Sequence, residues 1–232
     1  LPNAEMGKES YQKKYKMGIV QTKIINIHGE KLESGNDVFE YQDLVVSTST
    51  MSKDDWIKTR AFSWWVAFLH FNKIFQIPIL FLRYYYKYSY KEIFMSFSKV
   101  SCKFPILHEC NDFFEKEAKQ IQNGGEEYKF SKDYLSIYWP QDEYLFIELV
   151  LKNKINQFYK ECFAVFSETL TEKGNSEKEI RIFEESIKLN ASLIKKPFVH
   201  DNIEINLNSD LYSYIKYLKP AQVNYDQPNV SE

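Results

Sequence analysis

The stretch STSTMSKDDWIKTRAFSWWVAFLH, Ser47 to His70, decides the fold. Ser52 stands three residues ahead of Asp55, so its hydroxyl is placed to accept from a free amide of a first helical turn while the carboxylate faces the positive end of the helix. Downstream, Trp56, Phe62, Trp64, Trp65, Val66, Phe68, Leu69 and Phe71 leave no continuous polar side. A helix of that kind is buried on most sides and serves as a central element. The hydroxyl run before it belongs to the end of a strand, YQDLVVSTST from Tyr41 to Thr50, and QTKIINIH from Gln21 to His28 is rich enough in β-branched residues to be its partner. HGEKLESGND connects the two as polar chain, giving a small N-terminal sheet.

Outward from this core, Pro78 suits the first turn of a helix through ILFLRYYYKY, and Ser89 with Glu92 forms a capping box that starts another through KEIFMSFSKV. Leu107 to Gln122 has helical periodicity, with Phe113, Phe114, Ala118 and Ile121 on one side and Gly124–Gly125 as its stop. EYKFSKDYLSIYWP reads as extended chain. After Pro140, apolar residues keep helical spacing for about eight turns, and Ser176 with Glu179 opens a second long helix. A short loop at Gly174 joins the two as an antiparallel hairpin spanning about Gln141 to Ile194. The segment after His200 reads as a strand followed by a tail. The fold class is therefore α+β, predominantly α-helical, in one unit with four parts: a strand-containing region over 1–50, an aromatic helical part over 51–126, the hairpin over 127–200, and a strand and tail over 201–232.

The composition argues against several functions. Thirty basic and 32 acidic residues are mixed along 232 positions, for a net charge of −2, so nothing points to nucleic acid or an anionic membrane. Apolar density peaks between Ala61 and Leu82, but Asn72, Lys73, Gln76 and Pro78 interrupt it short of the roughly 18 residues a membrane span requires. Cys102, Cys110 and Cys162 cannot all pair, and their spacing fits neither zinc nor an iron–sulfur cluster, which favours a reducing cytoplasm. The chain begins LPNAEMG, without a leader, and reads as an excised piece.

No self-contained active site emerges. His28, His70, His108 and His200 show no metal-binding spacing, and His70 reads as a hydrogen-bonded or helix-end histidine. There is no nucleophile elbow and no phosphate-cradling glycine loop. Asp54 and Asp55 read as partners of the helix dipole, YYYKYSY (Tyr84 to Tyr90) as packing aromatics, and Asn190-Ala191-Ser192 as a chance sequon.

Three blocks carry a resemblance: LPNAEMGKESYQKKYKM (Leu1 to Met17), YQDLVVSTSTMSKDDWIKTRAFSWWVAFLHFNKIFQIPILFLRYY (Tyr41 to Tyr85) and IYWPQDEYLFIELVLKNKINQFYKEC (Ile137 to Cys162). They resemble the region that follows the catalytic barrel in cobalamin-binding radical S-adenosylmethionine proteins, with its LPNA turn, its M-S-x-[DE]-[DE]-W helix start and its W-P-x-x-E helix. The resemblance implies a C-terminal substrate-binding and scaffold portion whose partner is the upstream barrel of the same polypeptide and whose substrate is a peptide or small molecule. The four-iron cluster, S-adenosylmethionine and cobalamin are implied for the parent and not for this chain, which lacks the C-x-x-x-C-x-x-C loop and is expected to be inert alone. It also implies Asn3, Ser49, Thr50, Trp56 and Arg60 as residues facing the barrel or substrate. The plainer reading, which the residue types favour, makes Asn3 a turn, Ser49 and Thr50 backbone partners ahead of the cap, Trp56 core and Arg60 an ion-pair partner. A different class stays open: an autonomous helical protein–protein interaction domain.

Overall fold

A computed structural model describes residues 4–31, 38–195 and 202–213. The fold is α+β and mostly helical, and the chain divides into two compact units: Leu1–Trp64 with Asn111–Tyr144, and Trp65–Cys110 with Leu145–Glu232.

In the first unit a 3₁₀ turn at Glu5–Gly7 and helix α1 (Glu9–Lys14) precede an antiparallel pair, β1 (Gly18–Lys23) and β2 (Tyr41–Ser47), with Thr22 opposite Gln42. β1 ends at Lys23, earlier than the β-branched run suggests. Past Ile24, whose amide still donates to the Glu40 carbonyl at 2.9 Å, the chain leaves the ribbon and joins a second antiparallel pair, β3 (Lys129–Ser131) and β4 (Ile137–Trp139), through a bridge from Glu30 to Ile137. The segment expected to be merely extended is thus a hairpin.

Helix α2 (Lys53–Val66) starts as its sequence dictates: Ser52 Oγ accepts from the Asp55 amide at 3.1 Å and donates to Asp55 Oδ2 at 2.7 Å. The Ser52 hydroxyl and backbone hold the Asp55 carboxyl below its ordinary range. Trp56, Ala61 and Trp64 are buried on this helix, and Trp64 packs on Phe114 of α5 (Pro105–Gln122). Gly124, at φ 87°, ends α5 in a conformation that glycine adopts without a Cβ penalty.

In the second unit α2 continues as a π turn, Ala67–Phe71, closed by the Asn72 amide on the Ala67 carbonyl at 2.8 Å. The wider turn places Phe68 and Leu69 in the core and leaves Phe71 69 % exposed, so the aromatic run is not buried throughout. Helices α3 (Gln76–Tyr84) and α4 (Tyr90–Ser98) follow, α4 behind the expected Ser89–Glu92 capping box. The long helix expected after Pro140 is two: α6 (Gln141–Leu151) and α7 (Ile155–Glu172). Asn153 adopts φ 56°, a left-handed conformation asparagine tolerates, and the Lys154 amide folds back to the Leu149 carbonyl at 2.8 Å, a helix-terminating pattern that periodicity alone does not register.

After the turn at Gly174, α8 (Glu177–Ser192) starts at its Ser176–Glu179 box and runs antiparallel to α7: Phe166 meets Phe183, and Tyr159 meets Asn190. Phe68, Phe75, Phe97, Phe158, Phe166 and Phe183 form the aromatic centre of this unit, with ring separations of 5.6 to 6.4 Å among neighbours. The Tyr84–Tyr86 run packs on a satellite cluster of Phe81, Ile182, Leu207 and Leu211.

Two polar side chains of the hairpin cap helices from a distance. Glu161, 4 % exposed, accepts from the Ile106 and Leu107 amides at 2.9 and 3.0 Å at the start of α5. Asn190, 1 % exposed, accepts from the Ile77 amide at 3.0 Å and donates to the carbonyls of Lys73 and Ile74. The amide of the sequon is therefore fully engaged.

The expected C-terminal strand does not form among the described residues of its region, 202–213. Its polar groups go to side chains instead: Glu185 Oε1 accepts from the Asn208 amide at 2.7 Å, and Lys188 Nζ donates to the Asn206 carbonyl at 2.9 Å. Burial of Leu207 and Leu211 holds this strap on the hairpin. Among the described residues no single helix is long and apolar enough to cross a membrane.

Tyr88 gives a pH-dependent signature. Its buried hydroxyl has no hydrogen-bond partner among the described residues, and burial, then Glu92 and Glu172, push its pKa from 10.0 to about 12. The folded chain holds this proton longer than the unfolded chain, so the contribution is complete below pH 10 and is lost as pH rises towards 12. Tyr88→Phe is therefore expected to keep its Tm at pH 7 and to show a shallower alkaline fall than the parent. An unchanged alkaline slope in thermal unfolding between these pH values would remove Tyr88 from the account.

Candidate functional site

The first unit gathers polar side chains at two places, both beside the β1–β2 ribbon and the β3–β4 hairpin in sequence. The loop between β2 and α2 is closed around the Thr48 hydroxyl, which lies 3.3 Å from Thr50 Oγ1. Thr48 Oγ1 accepts from the amides of Thr50 at 3.3 Å and Met51 at 3.1 Å, and Ser52 caps α2. Ser49 and Thr50 are exposed; the Ser49 amide donates to the Tyr15 carbonyl at 2.7 Å, tying the loop to the end of α1. Trp56 is buried in the core. Asn3 lies outside the described residues.

Arg60 lies in a polar cluster centred on Glu127. Its Nη2 is 3.4 Å from Glu127 Oε1, its guanidinium lies over the Trp64 ring at 5.0 Å, and its buried Nε has no partner among the described residues. Glu127 Oε2 accepts from Gln42 Nε2 at 2.6 Å, and the Glu127 carbonyl accepts from Gln141 Nε2 at 3.4 Å. Two further buried atoms, Thr22 Oγ1 and Gln141 Oε1, make no hydrogen bond to a described residue. A protein that buries such groups ordinarily satisfies them, through its own chain, water or a bound polar group. No side-chain hydrogen bond or ion pair joins Ser49, Thr50 or Trp56 to Arg60 among the described residues.

The second place is a histidine–carboxylate pair. His28 has φ 59°, and its amide donates to the Tyr138 carbonyl at 2.8 Å while the Tyr138 amide returns to the Gly29 carbonyl at 3.0 Å. Held in that left-handed turn, His28 directs Nε2 to Glu143 Oε2 at 2.7 Å, with its ring edge-on to Trp139 at 5.1 Å. Trp139 is itself fixed by Nε1 donating to the Tyr134 carbonyl at 2.9 Å. The contact fixes the ring's orientation: Nε2 is engaged with the carboxylate, and Nδ1 is the ring nitrogen outside that contact.

Trp139 and Glu143 are the ends of the W-P-x-x-E block, and His28 comes from 115 positions earlier. The sequence alone assigns neither His28 nor Glu143 a role, and no local pattern links them. Glu127, Gln42, Gln141 and Thr22 are likewise silent in it, being ordinary surface residue types; the fold buries Thr22 and Gln141, half-buries Glu127 and leaves Gln42 exposed.

Cys102 is exposed and Cys110 and Cys162 are buried, all three free. Burial raises both buried thiols, opposing the thiolate that binds iron. Among the described residues no group of three or more His, Cys, Asp or Glu side chains is arranged to hold a metal. No protein-family model and no curated protein matches this chain.

Proposed function

We propose that this chain is the C-terminal substrate-binding and scaffold portion of a cytoplasmic, cobalamin-binding radical S-adenosylmethionine enzyme, docking on the upstream barrel through its N-terminal face. The observation that carries this reading is the concentration of exposed large apolar side chains in that part of the sequence. Neither the Glu5–Gly7 turn nor α1 buries a residue, and six of the thirteen exposed large hydrophobic side chains among the described residues, Met6, Tyr15, Ile24, Ile27, Val38 and Tyr41, fall in the first 41 positions. Isolated exposed apolar residues are ordinary, but a concentration beside the block that would adjoin the barrel is what a covered interface leaves when its partner is absent. The resemblance of three ordered blocks supplies the identity of that partner. Three free thiols accord with a reducing compartment.

Two measurements test the reading. The reading frame upstream of Leu1 is expected to encode C-x-x-x-C-x-x-C, and fusing that region to the chain is expected to slow amide hydrogen exchange over Glu5–Ile27. Absence of the motif, or unchanged exchange in the fusion, favours the autonomous interaction domain instead. Prepared anaerobically with iron and sulfide, the 232-residue chain is expected to stay colourless and to leave S-adenosylmethionine intact, because its cysteines cannot supply three neighbouring thiolates. A brown preparation that turns over the cofactor would overturn the proposal.

A further inference from the structure

Averaged over the chain the charges cancel, but no Asp or Glu stands between Asp55 and Glu92, a run that holds six Lys or Arg residues. Part of that run meets at one place in the second unit, where the π turn, the end of α3 and the start of α4 come together. The wide turn leaves Phe71 69 % exposed with its ring 5.3 Å from His70, and His70 lies 6.3 Å from the ring of Tyr90, itself exposed. The Arg83 guanidinium is 5.7 Å from the Tyr90 ring and 5.8 Å from that of Tyr84, and it donates to the Tyr88 carbonyl at 3.4 Å. Neither Arg83 nor the exposed Lys73 and Lys91, which follow Phe71 and Tyr90 closely in sequence, forms an ion pair with a described residue.

The tyrosine run thereby divides. Tyr85, Tyr86 and Tyr88 belong to the packed, acidic side: Tyr86 donates to the Glu179 carbonyl, Tyr88 packs on Phe166, burial and then Glu179 raise the Tyr85 hydroxyl, and burial, then Glu92 and Glu172, raise that of Tyr88. At Tyr90 burial and a hydrogen bond with Tyr84 raise the hydroxyl while Arg83 opposes them, and no carboxylate takes part. Glu92, the acid that ends the run, is turned to the Ser89 amide at 2.7 Å. From two exposed rings set among cations that have no carboxylate partner, we infer that this face of the second unit binds single-stranded nucleic acid, with bases stacked on Phe71 and Tyr90 and phosphates on Arg83, Lys73 and Lys91. Flat bases joined by phosphates answer both features at once. An acidic peptide answers the cations and brings no regular series of rings, a duplex keeps its bases stacked on one another, and a bilayer calls for a broader apolar area than one exposed Phe between polar neighbours. π turns recur at functional sites, and this one is what turns Phe71 outward. The patch lies wholly in the second unit and owes nothing to the radical-enzyme reading.

Fluorescence anisotropy of a labelled oligothymidylate of about twelve nucleotides, titrated with the full chain at low salt, tests this. The single strand is expected to bind, a duplex of the same length to bind about tenfold more weakly or worse, and affinity to fall with salt at a log–log slope of about −0.7 for each phosphate held. Phe71→Ala is expected to weaken the single strand about fivefold or more at an unchanged Tm, since its ring is exposed, and Phe71→Trp to keep the binding. Lys91→Gln should make the salt slope shallower by roughly one phosphate. Leu193→Ala removes a comparably exposed apolar side chain elsewhere in the same unit and should bind as the parent does. No binding of the oligonucleotide, parental binding by the Phe71→Ala chain, an affinity indifferent to salt, displacement by polyglutamate at matched charge, or preferential capture by phosphatidylserine vesicles would overturn the inference.

Discussion

Trp65→Ala is expected to lower the unfolding free energy by about 3–5 kcal/mol, the range for removing a large aromatic from a packed core. Trp65 is completely buried, with its ring 5.4 Å from Phe97 and 5.9 Å from Phe68, and both neighbours belong to the aromatic centre of the second unit. The cavity would open among side chains that also contact one another, so collapse around it is constrained. Arg60→Ala provides the contrast. That side chain is a third exposed and its ion pair with Glu127 is long, 3.4 Å, so its loss should cost about 1 kcal/mol or less. Denaturant unfolding of both variants checks the order, and Arg60→Ala emerging as the more damaging change would refute the assignment of α2 as scaffold.

Asn190→Ala should cost about 2–4 kcal/mol, chiefly through what it leaves behind. The Ile77 amide would lose its cap in the first turn of α3, and the Ile74 carbonyl and Tyr159 hydroxyl would each lose a partner in a buried setting. Asn190→Asp separates hydrogen bonding from shape. A carboxylate there still accepts from Ile77 but turns its second oxygen on the carbonyls of Lys73 and Ile74. The acid's pKa in the fold would be raised, so its protonated form is the stable one, and stability is expected to rise as pH falls towards roughly 4 and to be lost as pH rises. A flat pH profile for this variant, or an Asn190→Ala chain within about 0.5 kcal/mol of the parent, would show that the network contributes little.

Which features can be read from the chain follows from how local their causes are. The caps at Ser52, Ser89 and Ser176 and the stop at Gly124 each depend on residues within four positions, and all are in place. The break at Asn153 escapes the sequence because helical periodicity continues across it, while the cause is one backbone angle. The C-terminal strap reads as a strand because its alternating residues suit either outcome; side chains on α8, 18 and 23 positions earlier, decide between them. At the candidate site Arg60 is visible as a cation beside a helix start, but its partner Glu127 is 67 positions away and His28 meets Glu143 across 115. Such pairings are properties of the assembled fold and leave no local trace.

Glu161 and Asn190 also bear on the order in which the chain folds. The first turn of α5 depends on a carboxylate 54 to 55 positions downstream, and that of α3 on an amide 113 positions downstream. Neither helix can fix its start from its own sequence, so both wait on a hairpin that is made last if the chain is synthesised from its N-terminus. The α7–α8 hairpin, built from neighbouring residues with a short loop, closes at little entropic cost and becomes the template on which the earlier helices register. Kinetics of an Asp- or Ala-substituted Glu161 should then show its interactions absent from the folding transition state, with φ near 0, while hairpin core positions such as Phe183 approach φ of about 0.5 or above. The last third of this sequence thus instructs earlier helices, and a ribosome-bound chain truncated before Gly174, which lacks Asn190, should hold α3 only as a fluctuating helix.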